Sequence, residues 1–250
     1  MFTDAVDLRD YYETGLGDIS AQMLSLSVRR VWPDLTGQSL LGLGYATPYL
    51  DQYRGEAERV VALMPANMGV VHWPLEGRGL VGLAEESELP IPSYSIDRVM
   101  LVHGLETSRN FEALLQEIWR VLTGDGRLLV AVPNRTGVWA RADRTPFGWG
   151  HPYSAQQLSR VLRHHLFTPT QTTRALFMPP FRFRALIRSA AAWERIGQRV
   201  FPHFSGVVMI EAGKQIYAAA ARRKPARLRR PVLVPVPKAA GRTTARNRTE

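Results

Sequence analysis

Cysteine is absent from the 250 residues. That excludes disulfides, thiolate metal sites and a cysteine nucleophile, and it favours a reducing compartment, so the expected location is cytoplasmic. No apolar run approaches the roughly 18 residues that span a bilayer, and the opening MFTDAVDLRDYYE is too acidic and polar for a secretory signal. No transmembrane segment is expected. Metal ligands are also scarce: His164 and His165 adjoin each other without a carboxylate close by in sequence, so no metal site is expected. The body of the chain lacks net charge. Of a formal +10, residues 222–250 carry ten basic side chains against Glu250 alone, which leaves residues 1–221 about neutral and without a broad phosphate-binding face.

That tail is rich in proline and arginine and has no sustained periodicity. Residues 221–250 are therefore expected to be disordered. Such a tail attracts polyanions, which gives non-specific contact with RNA or an anionic surface, or it is simply solvated and partnerless.

The hydrophobic content, 45%, is enough for one substantial core. Residues 39–51, SLLGLGYATPYLD, organise it. Leu40 and Leu41 end in the small residues Gly42, Gly44 and Ala46, after which Thr47 and Pro48 can open a helix, with Thr47 as cap and Asp51 near the positive end of its dipole. Strand, glycine-rich turn and helix make a corner where a ligand can approach the backbone, Leu43 and Tyr45 included. Short glycine turns of this kind are also common where nothing binds.

Before the corner, residues 4–13 and 18–32 read as two helices. The second carries Ile19, Met23, Leu26 and Val31 on an apolar face. Tyr11 and Tyr12 either close over a ligand or pack between helices. After the corner, residues 59–64 and 79–83 are short strands. Residues 97–103 form a fourth strand, 109–122 a helix stopped by Gly124 and Gly126, and 127–132 a fifth strand. A long loop, 134–154, mixes Asn134, Arg135, Trp139, His151 and Tyr153, a set suited to an anionic or aromatic acceptor, and loops of that length commonly serve a site. Arginine and tryptophan interleaved in it would also suit stacking on single-stranded RNA. A helix at 155–164, a basic helix at 183–201 and a closing strand or strands at 206–217 complete the order. The basic helix places Leu186, Ala190, Trp193, Ile196 and Val200 on one face. That face packs on the core, covers a site or lies on a membrane.

Read together, three segments resemble class I S-adenosylmethionine-dependent methyltransferases of the type 11 kind. They are the corner at 42–48, the stretch EESELPIPSYSID at 85–97, and the block from Ile96 through HGLE at 103–106 to Pro133 and Asn134. The first is degenerate. Gly42 stands where the family has an acidic residue, and Gly44, Ala46 and Pro48 stand at its three glycines. The second anchor is altered too, because Met64 lies twenty residues after Gly44, where a carboxylate would bind the ribose. Asn67 is the nearest polar group.

The resemblance implies an α/β, doubly wound, mostly parallel seven-stranded sheet spanning 35–220, with an N-terminal helical addition at 1–34. It implies S-adenosylmethionine as cofactor, held by residues 42–46, Met64 or Asn67, Glu85, Glu86 and His103. Methyl transfer from a sulfonium needs positioning more than acid–base groups. His103 is the candidate general base for a hydroxyl or acid acceptor on a small molecule, and Glu106 its orienting partner. The other reading makes His103 a packing residue and Glu106 a helix cap. No N/D-P-P-Y/F segment follows the fourth strand, which disfavours base or amide methylation. The rival function is a non-catalytic scaffold of the same fold, acting through its tail on RNA or protein.

Overall fold

The computed structural model describes residues 4–181 and 189–216. The expected tail at 221–250 and the start of the basic helix lie outside the described residues.

The architecture follows from strands buried on both faces. In β4 (Ile96–Val102), Val99 and Leu101 enter one hydrophobic cluster while Met100 and Val102 enter another. Alternate residues of a strand point to opposite faces, so two clusters split in this way require helices on both sides of the sheet. The sheet has seven strands in the order β3-β2-β1-β4-β5-β7-β6. Strands β1 (Ser39–Gly44), β2 (Arg59–Pro65), β3 (Val81–Ala84), β4 and β5 (Leu122–Pro133) run parallel, and β7 (Val207–Lys214) is antiparallel to both β5 and β6 (Phe167–Ala175). This is the expected doubly wound class. Strand β6 had no counterpart in the sequence reading, because FTPTQTTRA is polar on its open side. Its order reverses between β1 and β4, and the crevice at the carboxyl ends of those strands is where open α/β sheets bind ligands.

The N-terminal helices α1 (Ala5–Tyr12) and α2 (Gly15–Val31) lie on the sheet. The buried stripe of α2 differs from expectation: it runs through Leu16, Ser20, Met23, Leu24, Ser27 and Val28, and Leu26 faces solvent. Two serines lie on the buried side, where the apolar pattern did not include them. The hydroxyls of Ser20 and Ser27 donate to the helix's own carbonyls, Gly17 O at 2.7 Å and Met23 O at 3.0 Å, and so are satisfied without water.

Two further corrections concern helix ends. Helix α4 (Phe111–Val121), capped by Asn110, passes directly into β5 at Leu122, so Gly124 and Gly126 belong to the strand rather than stopping the helix. Helix α3 is only Thr47–Leu50, followed by a 3-10 turn; Ala46 holds the cap position without a side-chain bond, and Thr47 is the first helical residue. Four residues give that terminus only a weak dipole. Helix α5 (Ala155–His164) begins as read, with Ser154 and Gln157 forming a reciprocal capping box.

In the last helix, α6 (Ala190–Val200), the face read as apolar is split between the core and solvent. Trp193, Ile196 and Val200 are exposed, while Ala190, Glu194 and Gly197 face the protein. A Cβ on Gly197 would stand 2.3 Å from that of Phe177, so the close approach needs glycine. Glu194 anchors the contact by accepting from the Phe177 amide at 2.8 Å, and burial pushes its carboxyl up to about 7. An acid held more neutral in the folded state stabilises most below its unfolded value, and that contribution is lost as pH rises through the folded value. Stability should therefore decline between about pH 4.5 and 7 through this group. Glu194→Gln should flatten the slope and raise stability at pH 8 by at most about 3 kcal/mol, measured by urea unfolding across pH.

Candidate functional site

The crevice is assembled where β1 leaves the sheet against the exit of β4. Gly44 has φ +74°, and a Cβ there would lie 2.2 Å from Val102 O, so only glycine permits the approach. The Tyr45 amide donates to Val102 O at 2.8 Å, which locks the bend to β4. Directly after it, His103 is itself in the left-handed region, at φ 51°. A non-glycine residue there carries strain that its surroundings must maintain, which is typical of functional sites.

Those surroundings are a buried polar chain. Tyr49 Oη lies 2.6 Å from Tyr12 Oη, Tyr12 Oη lies 2.7 Å from His103 Nε2, and His103 Nδ1 lies 3.3 Å from Glu106 Oε1. His103 and Glu106 are 3% and 2% exposed, so this chain is shielded from water. The self-consistent assignment puts the His103 proton on Nδ1, facing the carboxylate. Nε2 then accepts from Tyr12 O–H, and Tyr12 accepts from Tyr49 O–H. Neither Glu106 oxygen has a hydrogen-bond partner of good geometry among the described residues, a costly state for a buried carboxylate. Burial holds the phenols of Tyr12 and Tyr49 well above their ordinary range and pushes Tyr45 up to about 12.

Aromatic rings enclose the chain. Tyr12 stacks on Tyr45 at 5.7 Å between centroids, and Phe147 lies 5.0 Å from His103. The loop at 134–154 reaches the site through Phe147 and its backbone, the His151 amide donating to Glu106 O at 2.8 Å. Its side chains are otherwise engaged. The Asn134 amide group donates to His203 O and Ser205 O, tying the end of β5 to the segment before β7. Trp139 is fully buried and donates to Met178 O at 2.7 Å. Arg135 and His151 are exposed and Tyr153 is half-buried.

A cleft of about 260 Å3 opens beside the bend, lined by Leu43, Gly44, Met64, Pro65, Glu86 and Gly104. Its walls are apolar side chains and glycine backbone, with Glu86 as the one carboxylate at the rim. The space it encloses is only about 10 Å3, far below the roughly 300–1,000 Å3 of ordinary small-molecule sites. Glu86 lines the cleft and its carboxylate accepts from Ser108 at 2.6 Å, whereas Glu85 is exposed in the turn after β3. Met64 is fully buried in a cluster with Ala5, Leu8, Tyr45 and Met68, and Asn67 is exposed at the turn beyond β2. Gly42 faces Leu50, whose Cδ1 would be 2.5 Å from a Cβ there.

The structure brings His103 and Glu106 together as the sequence reading paired them, and it places Tyr12, read as either closing over a ligand or packing between helices, in hydrogen-bond contact with His103. Tyr49 and Phe147 were not singled out by the sequence. The spacing of Tyr45 and Tyr49, four apart at the helix start, was an available signal.

The methyltransferase domain family matches residues 40–130. No curated protein matches the chain by sequence. Among solved structures, a SAM-dependent methyltransferase of Thermotoga maritima is 15% identical, covering 83% of this chain and 94% of its own at a TM-score of 0.57. One from Archaeoglobus fulgidus is 17% identical over 78% of this chain and 95% of its own, with a TM-score of 0.54. The Burkholderia thailandensis 1,6-didemethyltoxoflavin-N1-methyltransferase, solved with S-adenosylhomocysteine, is 16% identical over 83% and 82%, with a TM-score of 0.51. At such identities the likeness is one of fold.

Tyr12→Phe keeps the ring packing but leaves Tyr49 and His103 Nε2 without their partner. It should lower stability by about 1–3 kcal/mol in urea unfolding, the usual cost of orphaning a buried polar group.

Proposed function

We propose, for a chain whose residues 40–130 match the methyltransferase domain family within a class I methyltransferase fold, S-adenosylmethionine-dependent methyl transfer to a hydroxyl or acid oxygen of a small molecule. The observation that carries this reading is the buried pair of His103 and Glu106, set at the switch point of the sheet beside a glycine bend. The catalytic body is residues 35–220, with the N-terminal helices as an addition over the crevice.

The cofactor, when bound, supplies an already activated methyl group. Backbone at Leu43, Gly44, Tyr45 and Ala46 would hold its amino-acid end, and Met64, Pro65 and Glu86 its nucleoside end. Asn67 and Glu85 stand further out, beside the ribose and adenine positions. His103 Nε2 marks where an acceptor hydroxyl gives up its proton, because that nitrogen is the accepting atom and already receives the Tyr12 hydroxyl at 2.7 Å. Glu106 holds the tautomer and stabilises the imidazolium that forms. Phe147, Tyr12 and Tyr45 exclude water, and Arg135, His151 and Tyr153 flank the acceptor's entry.

One observation favours the rival, a scaffold without turnover. The cleft is small, and Met64, at the ribose position, is sealed beneath α1. S-adenosylhomocysteine at millimolar concentration separates the two, since a ligand of the native state raises the unfolding midpoint by mass action. We expect a rise of several degrees. No rise would leave the scaffold standing. Given binding, His103→Ala should lower the rate of labelled methyl transfer by about 10²–10⁴-fold while keeping the thermal shift, as removal of a general base does.

A further inference from the structure

At the corner between α6 and β7, six large apolar side chains stand exposed: Phe181, Trp193, Ile196, Val200, Phe201 and Phe204. Ile196 is 55% exposed and Phe204 58%. Scattered apolar residues on a surface need no explanation, but four of these adjoin one another. Trp193, Ile196, Phe201 and Phe204 line one groove of about 710 Å3, with Val138 on its far side. Trp193, Ile196 and Val200 fall at i, i+3 and i+7, a single outward stripe on α6.

Charge identifies what covers this stripe. Arg195 and Arg199 are exposed on the same helix, and the Arg144 guanidinium lies 6.0 Å from the Phe181 ring. The helix's one acid, Glu194, is turned inward onto Phe177, so α6 sets no exposed acid beside the stripe, while Arg195 lies on the flank toward α2 and Arg144 at the patch's Phe181 edge. A second copy of the chain docked here by twofold symmetry would bring like charges together. An anionic bilayer surface instead takes the rings into the headgroup boundary while the arginines reach phosphates.

We propose that this corner lies on an anionic lipid surface, with α6 in the membrane plane. This rests on the patch alone and is independent of the methyl-transfer reading. The full chain should float with vesicles containing phosphatidylglycerol, and not with pure phosphatidylcholine, and salt should weaken the binding. Ile196→Glu and Phe204→Glu should each weaken it about tenfold or more, with unchanged unfolding midpoints. Lipids brominated on their acyl chains should quench tryptophan fluorescence in the wild type and much less in Trp193→Phe. That readout distinguishes insertion of the patch from adhesion by the basic tail, because the triple variant Arg227→Ala, Arg229→Ala, Arg230→Ala should keep the quenching. The proposal is overturned if Trp193 is not quenched, if the Glu variants bind as the wild type does, or if the chain forms a dimer that Ile196→Glu dissociates.

Discussion

Everything at the crevice depends on one close contact between two backbones. The turn after β1 is pressed against the exit of β4 so tightly that Gly44 can carry no side chain, and the Tyr45 amide is spent on Val102 O. The contact fixes where β4 must turn, and the turn falls on His103 in a strained, left-handed conformation. A histidine so placed points its ring across the bend instead of along the strand. Tyr12 and Glu106 then meet it from opposite sides. Neighbouring Gly104 is small for a related reason, since a Cβ on it would press on Leu101.

Much of this was legible in the sequence, and the reasons are local. Apolar strand cores such as Val99 to Val102, the Ser154 cap and the HGLE segment each fix structure within a few residues, so spacing alone places them. What failed to show depended on contacts distant in sequence. Asn134 reads as a polar loop residue inviting substrate, yet it is saturated by carbonyls about seventy positions away. Trp139 reads as an aromatic on a binding loop and is the largest fully buried side chain. In α6 the residues Trp193, Ile196 and Val200 share a face as read while Ala190, read with them, is buried, because a helical pattern does not specify which way a face turns. Gly197 and Glu194, both poor core residues by composition, determine it.

The two acidic anchors absent from the sequence have been replaced by packing. Gly42 sits where a carboxylate would point toward the ligand, and its missing side chain is the space into which Leu50 fits. An acid there would have to displace that leucine or be buried without a partner, at a cost of several kcal/mol. Met64 is likewise enclosed by Ala5, Leu8 and Met68. The N-terminal helix therefore closes the protein over Met64. The cleft beside it is lined by apolar side chains and glycine backbone, with Glu86 the one charged side chain among its lining residues.

The same helix also reaches the acid–base end. Tyr12 belongs to α1, whose other contacts are the Ala5 amide on Met68 O and the apolar cluster above Met64, so one short element covers both halves of the crevice. Its hydroxyl lies between Tyr49 on α3 and His103 after β4, and thus senses both turns of the switch point. Under the proposed methyl transfer, an acceptor that takes the place of Tyr12 at Nε2 must compensate for that bond, and a group offering only carbon there would leave a buried imidazole nitrogen unpaired. On that proposal, discrimination against such molecules would come from the chain of hydrogen bonds itself, because the penalty for an orphaned buried acceptor exceeds the gain from a well-made one.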